Sequence, residues 1–211
     1  IIASNQYESV NTNTFNHGVA LNMIGATTDL LNQPAKAITY YQRAIQIFDL
    51  NQEIYFKALA FHNTGMAYAK LNKLDSAMIY LNLSFEIHSA NNDTIELARH
   101  YIEVAKVAAA ENQFEKAKHL AQISLKFRKQ KLPAWHSDVI ESQLALGNIY
   151  VQEAEQNANQ QKEMNNLAMA LFDDALIAAL KSPRSERALE PLSNKAILCS
   201  NQGKQDLQLA E

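Results

Sequence analysis

The sequence predicts an all-α protein, a solenoid of antiparallel helix pairs with about ten helices. Three observations carry this. Helix breakers are scarce, with five Gly and four Pro in 211 residues, and both counts are well below average usage. The good helix formers Ala, Leu, Gln, Glu and Lys are plentiful. The chain also repeats itself. "LLNQPAKAITYYQRA" (30–44), "KLNKLDSAMIYLNLS" (70–84) and "AENQFEKAKHLAQIS" (110–124) start 40 residues apart. Self-similarity at a fixed period of tens of residues marks a stacked-repeat architecture, because one unit alone cannot bury its apolar stripe.

Each element follows from the repeat. Helices are expected near 14–31, 34–49, 53–71, 74–90, 93–111, 114–130, 134–156, 162–181, 185–201 and 204–211, with 1–12 a helical remnant or a frayed end. Asn32, Asn72 and Asn112 share one position, and Asn tolerates the left-handed backbone that ends a helix. Pro34 is pre-set for a first helical turn. Asp75 places a negative charge beside the positive end of the fourth helix. The polar insert "EAEQNANQQKEMN" predicts two lengthened helices joined by a short loop near Asn157–Gln161. Pro191 should kink the ninth helix or delay its start. Gly203 occupies the Asn72 position, so the ninth helix should stop there and "KQDLQLAE" should begin a tenth.

Positions Leu21, Ile24, Gly25, Thr28, Ala37, Tyr41 and Ala44 form a pattern that recurs. It returns at Phe61, Thr64, Gly65, Tyr68, Ala77, Leu81 and Ser84, and at Tyr101, Val104, Ala105, Ala108, Ala117, Ala121 and Ser124. A fourth copy reads Gln143, Leu146, Gly147, Tyr150, Ala168, Phe172 and Ala175, and a broken fifth reads Leu192, Lys195, Ala196 and Cys199. This resembles the tetratricopeptide repeat (TPR), in a long-period form of the bacterial type. Small residues on helix A let helix B approach, and a large residue on B fills the gap. The resemblance implies a right-handed superhelix forming one domain over 1–211, with repeats near 18–57, 58–97, 98–139, 140–188 and a partial 189–211. It makes Cys199, at the position of Tyr68 and Tyr150, a packed core residue.

The resemblance further implies a non-enzymatic scaffold that binds a protein or peptide in a groove lined by the A helices. The groove residues are Asn22, His62, Met66, Arg99, Ile102, Lys106, Leu144 and Asn148. Arg99 and Lys106, two turns apart on one helix face, would attract a carboxylate-bearing peptide. The chaperone-tail clamp of one TPR subgroup is not among the implied functions. Only Asn63 and Arg99 match it, while Asn22, Ala26 and Glu103 stand where other residues are required. By analogy with long-period arrays, the chain reads as the sensory or interaction part of a bacterial signalling regulator. The alternatives are a cytoplasmic receptor for quorum peptides and a nucleic-acid-associated repeat protein.

Other chemistry finds little purchase. The net charge is −3, which recruits neither nucleic acid nor anionic membrane. A lone Cys199 excludes an internal disulfide. His17, His62, His88, His100, His119 and His136 include no i, i+4 pair, so no metal or cofactor is expected. No phosphate-binding or nucleophile motif occurs, and no apolar run approaches the roughly 18 residues of a membrane span. Six Lys/Arg and no acid lie between Lys116 and Lys131; four of them sit near a helix C-terminus, where the macrodipole favours them. Trp135 is expected to plug the junction between the third and fourth repeats. The compartment, periplasmic or cytoplasmic, is left open. The two-turn last helix lacks a polar cap, which predicts a fragment of a longer protein that self-associates at this end.

Overall fold

The computed structural model describes residues 14–182 and 188–210, the last nine of these (202–210) as backbone only. The described residues hold nine α-helices: α1 (Phe15–Leu30), α2 (Pro34–Leu50), α3 (Ile54–Lys70), α4 (Leu74–Ala90), α5 (Thr94–Ala110), α6 (Phe114–Lys131), α7 (Ser137–Gln156), α8 (Gln161–Leu180) and α9 (Leu189–Ala210). The chain divides into two compact units, Ile1–Asp93 and Thr94–Glu211. The first pairs α1 with α2 and α3 with α4; the second pairs α5 with α6 and α7 with α8, and lays α9 on α8. The fold is the expected all-helical stack of hairpins. Residues 1–13, including the expected N-terminal remnant, lie outside the described residues.

The turns explain the pairing. Asn32, Gln52, Asn72, Asn92 and Asn112 all have positive φ, between 52° and 61°. At each, the residue itself donates to a carbonyl three back and the next residue donates to one five back. Asn72 N–H bonds Ala69 O at 2.9 Å and Lys73 N–H bonds Tyr68 O at 3.0 Å. This is the Schellman closure, which satisfies the last carbonyls of a helix. It reverses the chain in three residues, so α1 to α4 in the first unit, and α5 and α6 in the second, pack antiparallel on their neighbours in sequence.

The α6–α7 connection differs. Pro133 holds Leu132 extended, at φ −126° and ψ 148°, as a residue before proline prefers. His136 then caps α7, its Nδ1 accepting from Asp138 N–H at 3.2 Å. That cap starts the helix at Ser137, three residues later than expected. Trp135, in this connection, is 39% exposed, so it fills the junction only in part.

The recurring pattern is the core. Of the 28 positions read in the first four repeats, Ile24 alone is exposed, at 45%. It lies on α1, the first described helix. A Cβ on Gly25 would meet the Tyr41 ring at 2.5 Å, one on Gly65 would meet Leu81 Cγ at 2.8 Å, and one on Gly147 would meet Phe172 Cε1 at 2.4 Å. Ala105 and Ala121 share one cluster in the third pair. There both sides are small. At the N-terminal end Phe15, Phe48 and Phe56 pack with ring centroids 4.8–6.1 Å apart.

The fifth repeat corrects two expectations. No tenth helix starts after Gly203, because α9 continues from Leu189 to Ala210 without a break. Extending an existing helix costs far less than nucleating a two-turn one, and "KQDLQLAE" carries too little apolar surface to fold back. Cys199 is exposed rather than packed, and so are Leu192 and Ala196. They hold the positions that in earlier repeats face the pair's own B helix. Pro191 and Leu198 are buried instead. Pro191 lies in the first turn, where its missing N–H removes no helical bond.

Candidate ligand groove

The groove positions on the A helices divide between the two units. In the first, Asn22 and His62 are buried and Met66 is half-buried. Asn63 Nδ2 donates to Asn22 Oδ1 at 3.2 Å, and Lys70 pairs with Asp29 at 2.6 Å. Side chains one repeat apart tie α1 to α3 here.

In the second unit Lys106 on α5, Leu144 and Asn148 on α7, and the first residues of α9, Leu189 and Glu190, line one pocket of about 520 Å³. Lys106, Leu144 and Asn148 are thus brought together as the repeat register requires. Arg99 and Ile102 do not line this pocket. Ile102 has no exposed surface, and Arg99 is held by Glu96 at 2.8 Å. Asn148 Oδ1 accepts from Asn194 Nδ2 at 3.4 Å, linking α7 to α9.

The charge of the pocket wall is internally balanced. Lys106 Nζ reaches Glu103 at 2.8 Å and Glu141 at 3.5 Å. Arg128, fully buried, reaches Glu141 Oε2 at 2.9 Å, the Asp138 carbonyl at 2.7 Å and Ser142 Oγ at 2.9 Å. Burial pushes the Glu103 carboxyl above its ordinary value, with Lys106 pulling against it. Burial would lower the Lys106 ammonium, but Glu103 and Glu141 more than offset it and the net shift is upward. Burial would raise Glu141, yet Lys106 and Arg128 outweigh it and hold the carboxyl below its ordinary value. The two cations expected to draw a carboxylate, Arg99 and Lys106, both have carboxylate partners. The Lys106–Glu141 contact is the long one, and the Lys106 side chain keeps 43% of its surface exposed.

Sequence reasoning missed Arg128, which belongs to the basic run yet works inside the protein. Lys118 is likewise held, by Glu115 at 2.7 Å and Glu153 at 2.8 Å. Lys116, Lys126, Lys129 and Lys131 remain exposed. The α9 residues Leu189 and Glu190 were also missed; their one sequence signal is Pro191, which marks a helix start. Among the described residues no group of His, Cys, Asp or Glu is arranged to hold a metal, and no helix is long and apolar enough to cross a membrane.

No family model matches this sequence, and no curated protein matches it. Solved structures do. Two crystal structures of kinesin light chain TPR-like repeats from Podosopora anserina superpose with TM-scores of 0.64 at 16% identity. One covers 90% of this chain and 88% of that chain, the other 92% of each. BtubC (BKLC) from P. vanneervenii superposes with a TM-score of 0.59 at 13% identity, covering 93% of this chain and 85% of that one. At such identities the likeness speaks to fold: this chain has the TPR-like helical repeat fold.

Proposed function

We propose that this TPR-like chain is a non-catalytic scaffold that binds a protein or peptide in the groove of its second unit. The single observation that supports the reading most is the 520 Å³ pocket. Successive A helices supply it with an ammonium, an apolar floor and an amide at the positions the repeat register selects. An extended peptide can use Asn148 for a backbone contact and Leu144 for a side chain. A ligand carboxylate can replace Glu141 on Lys106 at their 3.5 Å contact, the weaker of the two that Lys106 makes. The proposed setting is the sensory or interaction part of a bacterial signalling regulator, with a signal peptide or partner protein as the input.

The test is a peptide array probed with the purified chain, followed by titration of the best binders. Asn148→Arg, at an exposed site, should abolish binding with helicity unchanged. Lys106→Ala should weaken carboxylate-bearing peptides by up to about fivefold, the worth of a half-exposed ion pair. Binders unaffected by both substitutions would place the site elsewhere, with Trp135 the next position to probe. The nucleic-acid reading loses support from the engagement of Arg128 and Lys118 inside the second unit.

A further inference from the structure

The two oxygens of Glu141 are held unequally. Oε1 lies 3.5 Å from Lys106 Nζ, and Oε2 lies 2.9 Å from Nη1 of the buried Arg128. Lys106 has a second carboxylate, Glu103, at 2.8 Å, with its side chain only 7% exposed. Moving Glu103 off Lys106 would strand a charge in the interior. Glu141 lines the pocket beside Lys106, and its side chain is 44% exposed. Of the two carboxylates on Lys106, Glu141 is therefore the exchangeable one.

Arg128 can keep Glu141 when Lys106 is given up. Its Nη1 carries two N–H groups and meets three acceptors, the Asp138 carbonyl, Ser142 Oγ and Glu141 Oε2. Its buried Nε and Nη2 meet no acceptor among the described residues. A guanidinium holds a carboxylate best through two parallel N–H bonds, one to each oxygen. Glu141 gives Arg128 one oxygen while the other lies on Lys106. Release from Lys106 frees that second oxygen for a guanidinium with donors to spare.

We infer that Glu141 is a built-in competitor for the carboxylate site on Lys106, displaced onto Arg128 when a ligand carboxylate arrives. The inference rests on the groove reading of the second unit and adds its selectivity. Lys106 and Arg128 are already balanced by Glu103 and Glu141. An incoming carboxylate exchanges one ion pair for another and gains little by itself. Small carboxylates are thus rejected, and a ligand must add contacts of its own at Leu144 and Asn148. The class selected is a peptide that carries a carboxylate next to an apolar side chain.

Acetylated tetrapeptides with leucine at either of the last two positions, each made as the free acid and as the C-terminal amide, test this by NMR titration of the full chain at pH 7. The readout is the ratio of acid to amide affinity. Glu141→Gln keeps an oxygen for Arg128 and removes the competing charge at a half-exposed site, so circular dichroism should match the native chain. The substitution should raise the ratio by about fivefold and leave the amide affinities unchanged. Adding Lys106→Ala should erase the gain. An unchanged ratio in Glu141→Gln, with the peptides still binding, would overturn the inference and leave the groove reading standing. So would equal weakening of acid and amide, which would make Glu141 a direct ligand contact. Binding of none of these peptides to either chain would remove the groove reading and the inference with it.

Discussion

Phe172 of α8 lies so close over Gly147 of α7 that a Cβ on the glycine would sit 2.4 Å from its Cε1. Alanine exceeds glycine in helix propensity by about 1 kcal/mol, so propensity alone makes Gly147→Ala stabilising. Overpacking decides the sign. The substitution should cost roughly 1–3 kcal/mol in urea unfolding, and Phe172→Leu on top of it should restore part of the loss. Gly65→Leu should cost at least as much, because the Ala77 carbonyl, 3.1 Å from the added Cβ, belongs to a helix backbone. A melting temperature unmoved by Gly65→Leu would contradict the close crossing of α3 and α4.

The five left-handed turn residues are not equal. Four are asparagines; Gln52 holds φ 58° without the short side chain that makes this conformation tolerable. The left-handed backbone costs an ordinary residue roughly 1–2 kcal/mol. Gln52→Gly should raise stability by up to about 1 kcal/mol, net of the larger entropy glycine loses. Gln52→Val should lower it by a similar amount or more. Thermal unfolding of the two variants should move in opposite directions.

Arg128 has no exposed surface and ties α6 to α7 through Glu141, Ser142 and the Asp138 carbonyl. Removing it leaves the Asp138 carbonyl and the buried Ser142 hydroxyl without this donor, while Glu141, whose side chain is 44% exposed, can turn to water. Arg128→Ala should cost about 1–3 kcal/mol plus the lost packing, and Arg128→Met, which keeps the volume, distinctly less. Equal losses for the two would assign the residue's contribution to its charge contacts rather than its packing.

Glu141 sets a pH dependence. Its folded carboxyl lies below the ordinary 4.5, so it contributes stability that is complete above that value and is lost as the pH falls through the lower, folded one. Glu103, pushed upward by burial, acts in the opposite sense, favouring the fold when protonated. Urea midpoints of the native chain and Glu141→Gln should differ at pH 7 and converge below pH 4. A gap that persists undiminished into acid would show that Glu141 acts through packing.

How far the sequence foretold these features depends on what repeats. The boundaries of α1–α8 fall within about three residues of those expected, because Asn32, Asn72 and Asn112 mark turns that local backbone chemistry enforces. The end of the chain reads wrongly because Gly203 sits where Asn72 sits, yet a glycine breaks a helix only if the next segment has something to pack on. That Lys106, Leu144 and Asn148 line one pocket is legible because the register places them on successive A helices. Arg128 is not, since a cation in a basic run at a helix end looks like a solvated partner of the dipole. Its burial depends on the reach of a long side chain to a helix ten residues further on. Leu189 and Glu190 belong to the one unit that departs from the pattern.

The left-handed residues fall every 20 positions, at 32, 52, 72, 92 and 112, which is half the sequence period. Each closure restarts the helical phase from a fixed backbone geometry, so the angular position of a side chain is counted from its own turn. A change in the length of one helix is therefore contained within its own pair. Beyond the last closure, at Asn112, α7 and α8 have 20 residues each where α2 to α5 have 17, and Gly147 still meets Phe172. An array punctuated in this way can vary the depth of one pair, and hence the width of the surface that pair offers, while the other pairs keep their register.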